Sequence, residues 1–273
     1  MVGFLKKEML QDIEFMVKID EVFPNPTVKK VIFHMSYSNL FYIENKIGEF
    51  QTKIMHIFPN SSIEYRNRLI LVDKGGKIDA TDIEKMSDDD FKAKVWQFES
   101  ETGMKLNVMS NSLSIISERH KTYNNKKEKE RFRDIIEEVT KIFFEIIPLT
   151  ILKTVGLRYI DECPIPDPKN INNKSFKQWY NTTFDLNQFN LSNTKEIATI
   201  NIHKNEECFI RFIERFKKND SYSYILDFDG FAENVKKEQY LQITDKLHDL
   251  IANLYCNIIK EPIIEYMKKP KEG

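Results

Sequence analysis

Four side chains in the sequence have types and spacings that could do chemistry: Arg158, Asp227, Asp229 and His248. Arg158 interrupts an apolar run. On a strand it shares a face with Thr154 and Gly156, while Val155, Leu157 and Tyr159 point the other way. A charge in that setting needs a partner, because burying it alone is costly. Asp227 and Asp229 can supply one, since they share the strand face opposite to their aromatic neighbours. Two carboxylates at this spacing can also share a divalent ion. No Lys, Thr or further acid at a supporting spacing accompanies them, and Gly230 follows, so the preferred reading of the triplet is a strand end entering a turn. A structural pair between Arg158 and one of the two aspartates, across adjacent strands, is the expectation.

His248 lies beside Leu247 on a helical stretch, with Asp245 and Asp249 near enough to orient it as a base. No nucleophile pattern accompanies it, so no triad is read. If Arg158, Asp227, Asp229 and His248 met in one cleft, they would suit a metal-dependent hydrolase or a phosphoryl-transfer enzyme. His34, His56, His120 and His203 show no zinc-binding spacing, and Cys163, Cys208 and Cys256 are far apart with no C-x-x-C pair. Neither a zinc site, a disulfide nor a cofactor is expected. Gly75-Gly76 is a turn rather than a phosphate loop, and the chain has only 8 glycines.

Lys and Arg number 41 against 42 Asp and Glu, a net charge of −1. The basic clusters at residues 121–133 and 211–218 are interleaved with Glu128, Glu130 and Glu214, which suits salt-bridged faces better than a phosphate-tracking groove. Nucleic acid is therefore not favoured as a partner. No stretch approaches the ~18 apolar residues of a membrane span. The first 20 residues carry Lys6, Lys7, Glu8 and Asp12, unlike a signal peptide. A cytoplasmic protein without a membrane partner is expected.

The elements that must position these residues follow from periodicity. Residues 1–22 form an N-terminal segment in which Phe4, Met9, Ile13 and Val17 recur at helical spacing. Pro24 and Pro26 then open a single body, residues 23–273, made of two loosely similar halves at 23–163 and 164–273. Strands are predicted at 28–38, 63–72, 95–101, 105–118, 152–162, 196–203, 208–216 and 221–229, from alternating β-branched and aromatic residues between turn signals. Long helices are predicted at 39–58, 126–147 and 237–267, the second from the stripe Phe132, Ile135, Ile136, Val139, Ile142 and Phe143. Residues 73–94 and 167–195 are polar and aperiodic, and are expected to be exposed, mobile excursions. Strand runs joined by short turns, with helices between groups of strands, give an α+β fold. It has mostly antiparallel sheet in two halves, covered by three long helices.

The run Gly156-Leu157-Arg158-Tyr159-Ile160-Asp161 resembles the G-L-R-Y-[IV]-N signature strand of a sporadically distributed family of uncharacterised prokaryotic proteins. The likeness extends to a strand over 26–33, Phe58-Pro59 closing the next helix, and Leu226-Asp227-Phe228-Asp229 ahead of a helix carrying Leu247-His248. Asp161 stands where the family usually has Asn. The family brings no activity, and its patchy distribution is similar to that of defence and toxin–antitoxin loci. The leading expectation is a non-catalytic interaction or regulatory protein of such a locus, a homodimer through the N-terminal stripe. The enzyme built on the four residues above and a nucleic-acid binder are the alternatives.

Overall fold

The protein is described from a computed structural model, which covers residues 22–67 and 92–270. The expected N-terminal helix, the Gly75-Gly76 turn and most of the 73–94 excursion lie outside the described residues.

The nine strands among the described residues join one antiparallel sheet. In chain order the elements are β1 (Val28–Ser36), α1 (Ile43–Ile54), β2 (Asn60–Asn67), β3 (Lys92–Glu99), β4 (Lys105–Met109) and β5 (Ser112–Ser117). They continue with α2 (Phe132–Ile146), β6 (Ile151–Cys163), α3 (Asn173–Trp179), β7 (Glu196–Asn205), β8 (Cys208–Lys218) and β9 (Tyr222–Lys236), and end with α4 (Tyr240–Ile258) and α5 (Glu261–Lys268). The spatial order is β2-β3-β4-β5-β1-β6-β9-β8-β7. β6 is therefore flanked by β1 and β9, and the two expected halves are not separate sheets. They fuse along the β6–β9 ladder, which runs from Ile151 opposite Lys236 to Cys163 opposite Tyr224.

Alternation along each strand sorts residues between two faces. Val155, Leu157, Tyr159, Asp161 and Cys163 of β6 are buried under the helices, whereas Thr154, Arg158 and Ile160 are half-exposed on the other face. Phe50 of α1 and Phe143 of α2 meet edge to face at 5.5 Å, and Tyr240 of α4 reaches Phe144 of α2 at 5.4 Å, so the helices form one connected layer. Gly230 lets α4 settle closely on the sheet. A Cβ there would stand 2.9 Å from Ile210 Cδ1 and 3.2 Å from both Leu247 and Ile251. Gly230 therefore lies inside β9, which runs on to Lys236; it is not the turn read from the Asp229-Gly230 sequence.

Three long helices are not what the sheet carries. Among the described residues there are five helices, of 12, 15, 7, 19 and 8 residues. The expected C-terminal helix breaks after Ile258, where Ile259 forms a β-bridge with Tyr180 and Lys260 N–H donates to the Trp179 carbonyl. Pro262 then falls in the first turn of α5, where its missing N–H costs nothing.

Residues 167–195 are exposed over much of their length, as expected, but the segment is anchored to the body. Ile171, Phe176, Tyr180, Phe184, Leu186 and Leu191 are all buried. Glu214 of β8 pins this segment down: its carboxylate accepts from Thr183 N–H at 2.7 Å, from Thr183 Oγ1, and from Tyr224 Oη at 2.6 Å. The sequence hints at a short helix through Phe176, Trp179 and Tyr180, which is α3, but Ile171, Phe184, Leu186 and Leu191 are spaced to suit a wrapping chain, so periodicity does not reveal them.

Candidate functional site

Arg158, Asp227 and Asp229 do assemble, on the face away from the helices. Arg158 stands directly opposite Asp229 in the ladder. Its guanidinium nevertheless reaches the diagonal neighbour Asp227, with Nε donating to Oδ1 at 2.8 Å and Nη2 to Oδ2 at 2.6 Å. Asp229 accepts from Arg211 Nη2 of β8 at 2.5 Å. Charges thus alternate over three strands, and each carboxylate has its own arginine. The bond to Asp227 raises the Arg158 pKa, as a bidentate ion pair should. Side-chain exposure of 36% for Arg158 and 14% for Asp227 leaves the pair in partial contact with water. Gly156, lacking a side chain, leaves a shallow depression beside it, bordered by His34, Ser114 and Phe231. Burial lowers the His34 pKa, partly offset by Asp229. The arrangement is electrostatically saturated.

His248 is on the other side of the sheet, so the four residues do not converge. It projects from α4 and stacks on Tyr123, with ring centroids 4.1 Å apart. Its Nδ1 lies 3.2 Å from Asp249 Oδ1. Asp245 does not orient it; that carboxylate takes Tyr123 Oη at 2.7 Å and two nitrogens of Arg133 at 2.8 and 2.9 Å.

His248 instead borders a cavity of about 170 Å3 between β6, the start of β1, the 118–123 connection, α4 and α5. The residues that give this cavity its chemistry are Tyr159, Asp161, His120, His248 and Tyr255. Sequence folds it in two ways. Strand alternation turns Tyr159 and Asp161 under α4, in phase with Val155 and Leu157. A register shift between Val28 and Lys30, just after Pro24 and Pro26, bends the entry of β1 so that Thr27 and Val28 line the rim.

The polar groups there are unevenly satisfied. Asp161 is 4% exposed and accepts from Thr27 Oγ1 at 2.8 Å; Thr27 in turn is 2.7 Å from Tyr255 Oη. No cation among the described residues pairs with it. Burial pushes its pKa up to about 7, the Thr27 bond opposing and Asp227 through the sheet adding to the rise. The Tyr159 hydroxyl is buried without any hydrogen-bond partner. His120 packs edge-on against Tyr159 at 5.6 Å, and burial, helped by His248, lowers its pKa to about 4. Its ring is neutral at pH 7.

Tyr159, Asp161 and His120 were not among the site residues expected from sequence. A signal existed for Asp161. It continues the phase of Val155, Leu157 and Tyr159, and so puts an acid on an apolar strand face whose one basic residue, Lys153, is eight positions away. Among the described residues no group of three or more His, Cys, Asp or Glu could hold a metal ion. A scan against models of protein families and a search of the curated proteins both return no match for this chain.

Proposed function

We propose that the chain is a non-catalytic regulatory protein that binds a small ligand in the cavity between β6 and α4. One observation carries the reading: Tyr159, whose hydroxyl is buried with its hydrogen-bonding capacity unused, lines that cavity. Buried polar groups are almost always paired, so an orphan beside an empty volume fits a group that a ligand completes. The cavity lining includes no Ser or Cys, and its one threonine hydroxyl is engaged with Asp161 and Tyr255. No nucleophile–base pair stands there, which favours binding over turnover.

The enzyme alternative loses its argument with the separation of His248 from Arg158, Asp227 and Asp229. A nucleic-acid role gains none, since Arg133 belongs to the helix layer through Asp245 while Arg211 and Arg215 lie on the far face with Asp229 and Glu196. No helix among the described residues is long and apolar enough to cross a membrane. The proposal keeps the cytoplasmic setting, the homodimer and the defence or toxin–antitoxin locus expected from the sequence.

The test is a titration of the full chain with small polar metabolites, followed through the imidazole resonances of His120 and His248. The expected result is saturable shifts, a loss of about tenfold or more in affinity for Tyr159→Phe, and ligand recovered unchanged. Conversion of the bound compound overturns the non-catalytic reading. Silence of both histidines toward every compound small enough for the cavity overturns the site. Sedimentation of the full chain as a monomer removes the homodimer.

A further inference from the structure

We propose that the cavity between β6 and α4 selects a small organic cation, an amine or methylated ammonium group, whose charge is neutralised by Asp161. This rests on the ligand-binding reading above and names the chemistry of the ligand.

Charge compensation is the first ground. Asp161 and Glu214 are the two acids buried among the described residues. Glu214 accepts three hydrogen bonds from Thr183 and Tyr224, enough to satisfy a carboxylate inside a protein. Asp161 accepts one, from Thr27, and none of the described side chains pairs with it as a cation. The half-buried acids behave differently: Asp227, Asp229 and Asp245 each hold an arginine. Of the two buried acids, neither of which has a cation among the described residues, Asp161 is the one with a single hydrogen bond, and it is the one that lines a cavity.

The walls are the second ground. His120, Tyr159, His248 and Tyr255 line the same cavity as Asp161, and aromatic rings beside a carboxylate suit an organic cation, which they attract while replacing part of its hydration shell. With its ring neutral, His120 does not compete for the negative charge. Lys121 lines the same cavity but is exposed and makes no ion pair with Asp161. A volume of about 170 Å3 admits a head group of a few heavy atoms and is too small for a nucleotide.

A pH dependence follows. The groups facing or adjoining Asp161 are Tyr159 and Cys163 on β6, Tyr255 and His248 on α4, His120 and Lys121 in the preceding connection, and Asp227 behind it on β9. Only the ionised Asp161 neutralises a cation. Binding therefore strengthens as pH rises through about 7, and each cation bound near pH 6 releases protons.

The experiment uses the full chain with butylammonium, tetramethylammonium and, as the neutral counterpart, 1-butanol. Imidazole shifts of His120 and His248 report occupancy. Expected is at least one cation binding about tenfold or more tightly than butanol at pH 8, the scale of one charge-assisted contact. Asp161→Asn, which keeps an acceptor for Thr27, should fold and lose the preference for the cations over butanol. Butanol binding as tightly as both cations, or a preference that survives D161N, overturns the inference and leaves the cavity reading standing. If none of the three probes shifts either histidine in the wild type, both fall.

Discussion

Arg158 holds Asp227, two residues along β9 from the Asp229 that faces it across the ladder, with both carboxylate oxygens engaged at 2.8 and 2.6 Å. The diagonal is available because Arg211 already occupies Asp229 from the opposite side. Each acid is thereby served by a different strand, and β6, β9 and β8 are tied together in one register.

A double-mutant cycle on Arg158→Met and Asp227→Asn should give a coupling of about 1 kcal/mol, modest because the arginine is partly exposed. Arg158→Lys should recover less than half of it, since an ammonium cannot make the two-pronged contact. Urea unfolding measures all three; a coupling indistinguishable from zero refutes the pairing as a stabilising one.

Asp161→Asn should stabilise the protein above neutral pH. The sign follows from the raised folded-state pKa of about 7 against an ordinary value of 3.8. Between those values the folded state binds the proton more tightly than the unfolded chain, so the wild type loses stability as pH rises through the window. The advantage of D161N should be below about 1 kcal/mol at pH 4 and on the order of 4 kcal/mol at pH 8. Paired denaturation curves across that range check it, because the His120 contribution is common to both proteins. An advantage that grows toward acid pH contradicts the assignment.

Tyr159→Phe should leave the ligand-free protein equally stable or more stable by up to about 1 kcal/mol, since it removes a buried hydroxyl that bonds to nothing. Thermal unfolding without ligand is sufficient. A large loss of stability would mean that the hydroxyl is paired after all.

Gly230→Ala should cost about 1–3 kcal/mol, because its Cβ meets Ile210 Cδ1 at 2.9 Å and two α4 side chains at 3.2 Å. Adding Ile210→Val deletes the nearest atom and should restore part of the loss, although it removes one methyl from the core on its own. Absence of rescue would place the strain on α4 instead.

Glu214→Gln should loosen residues 167–195. The amide keeps one oxygen where the carboxylate takes three hydrogen bonds, so at least one buried donor of Thr183 or Tyr224 is left unpaired, at about 1–3 kcal/mol. Limited proteolysis should cut the variant inside this segment and spare the wild type there. Equal resistance in both proteins would show that the buried aromatic residues alone hold it.

Several features of this protein were decided by its sequence. Alternation located β1, β6, β7 and β8 within a few residues and the start of β9, though not its end at Lys236, and the stripe from Phe132 to Phe143 announced α2, because side-chain periodicity is a local property that burial of one face imposes on any chain. Counting faces was enough to join Arg158 to the aspartates at 227 and 229, since both strands had to turn the same way. Tertiary structure alone decided what lies over each face. Strand order put β6 between β1 and β9, Gly230 drew α4 onto the far side, and His248 was thereby separated from the acids it was grouped with. The same packing broke the last helix at Ile259, folded residues 167–195 over Glu214, and sealed Asp161 beneath α4 with a hydroxyl bond but no cation among the described residues. Whether a carboxylate is compensated depends on which distant residues come to surround it. That is a sum over non-local neighbours, and no pattern along the strand that carries the carboxylate contains it.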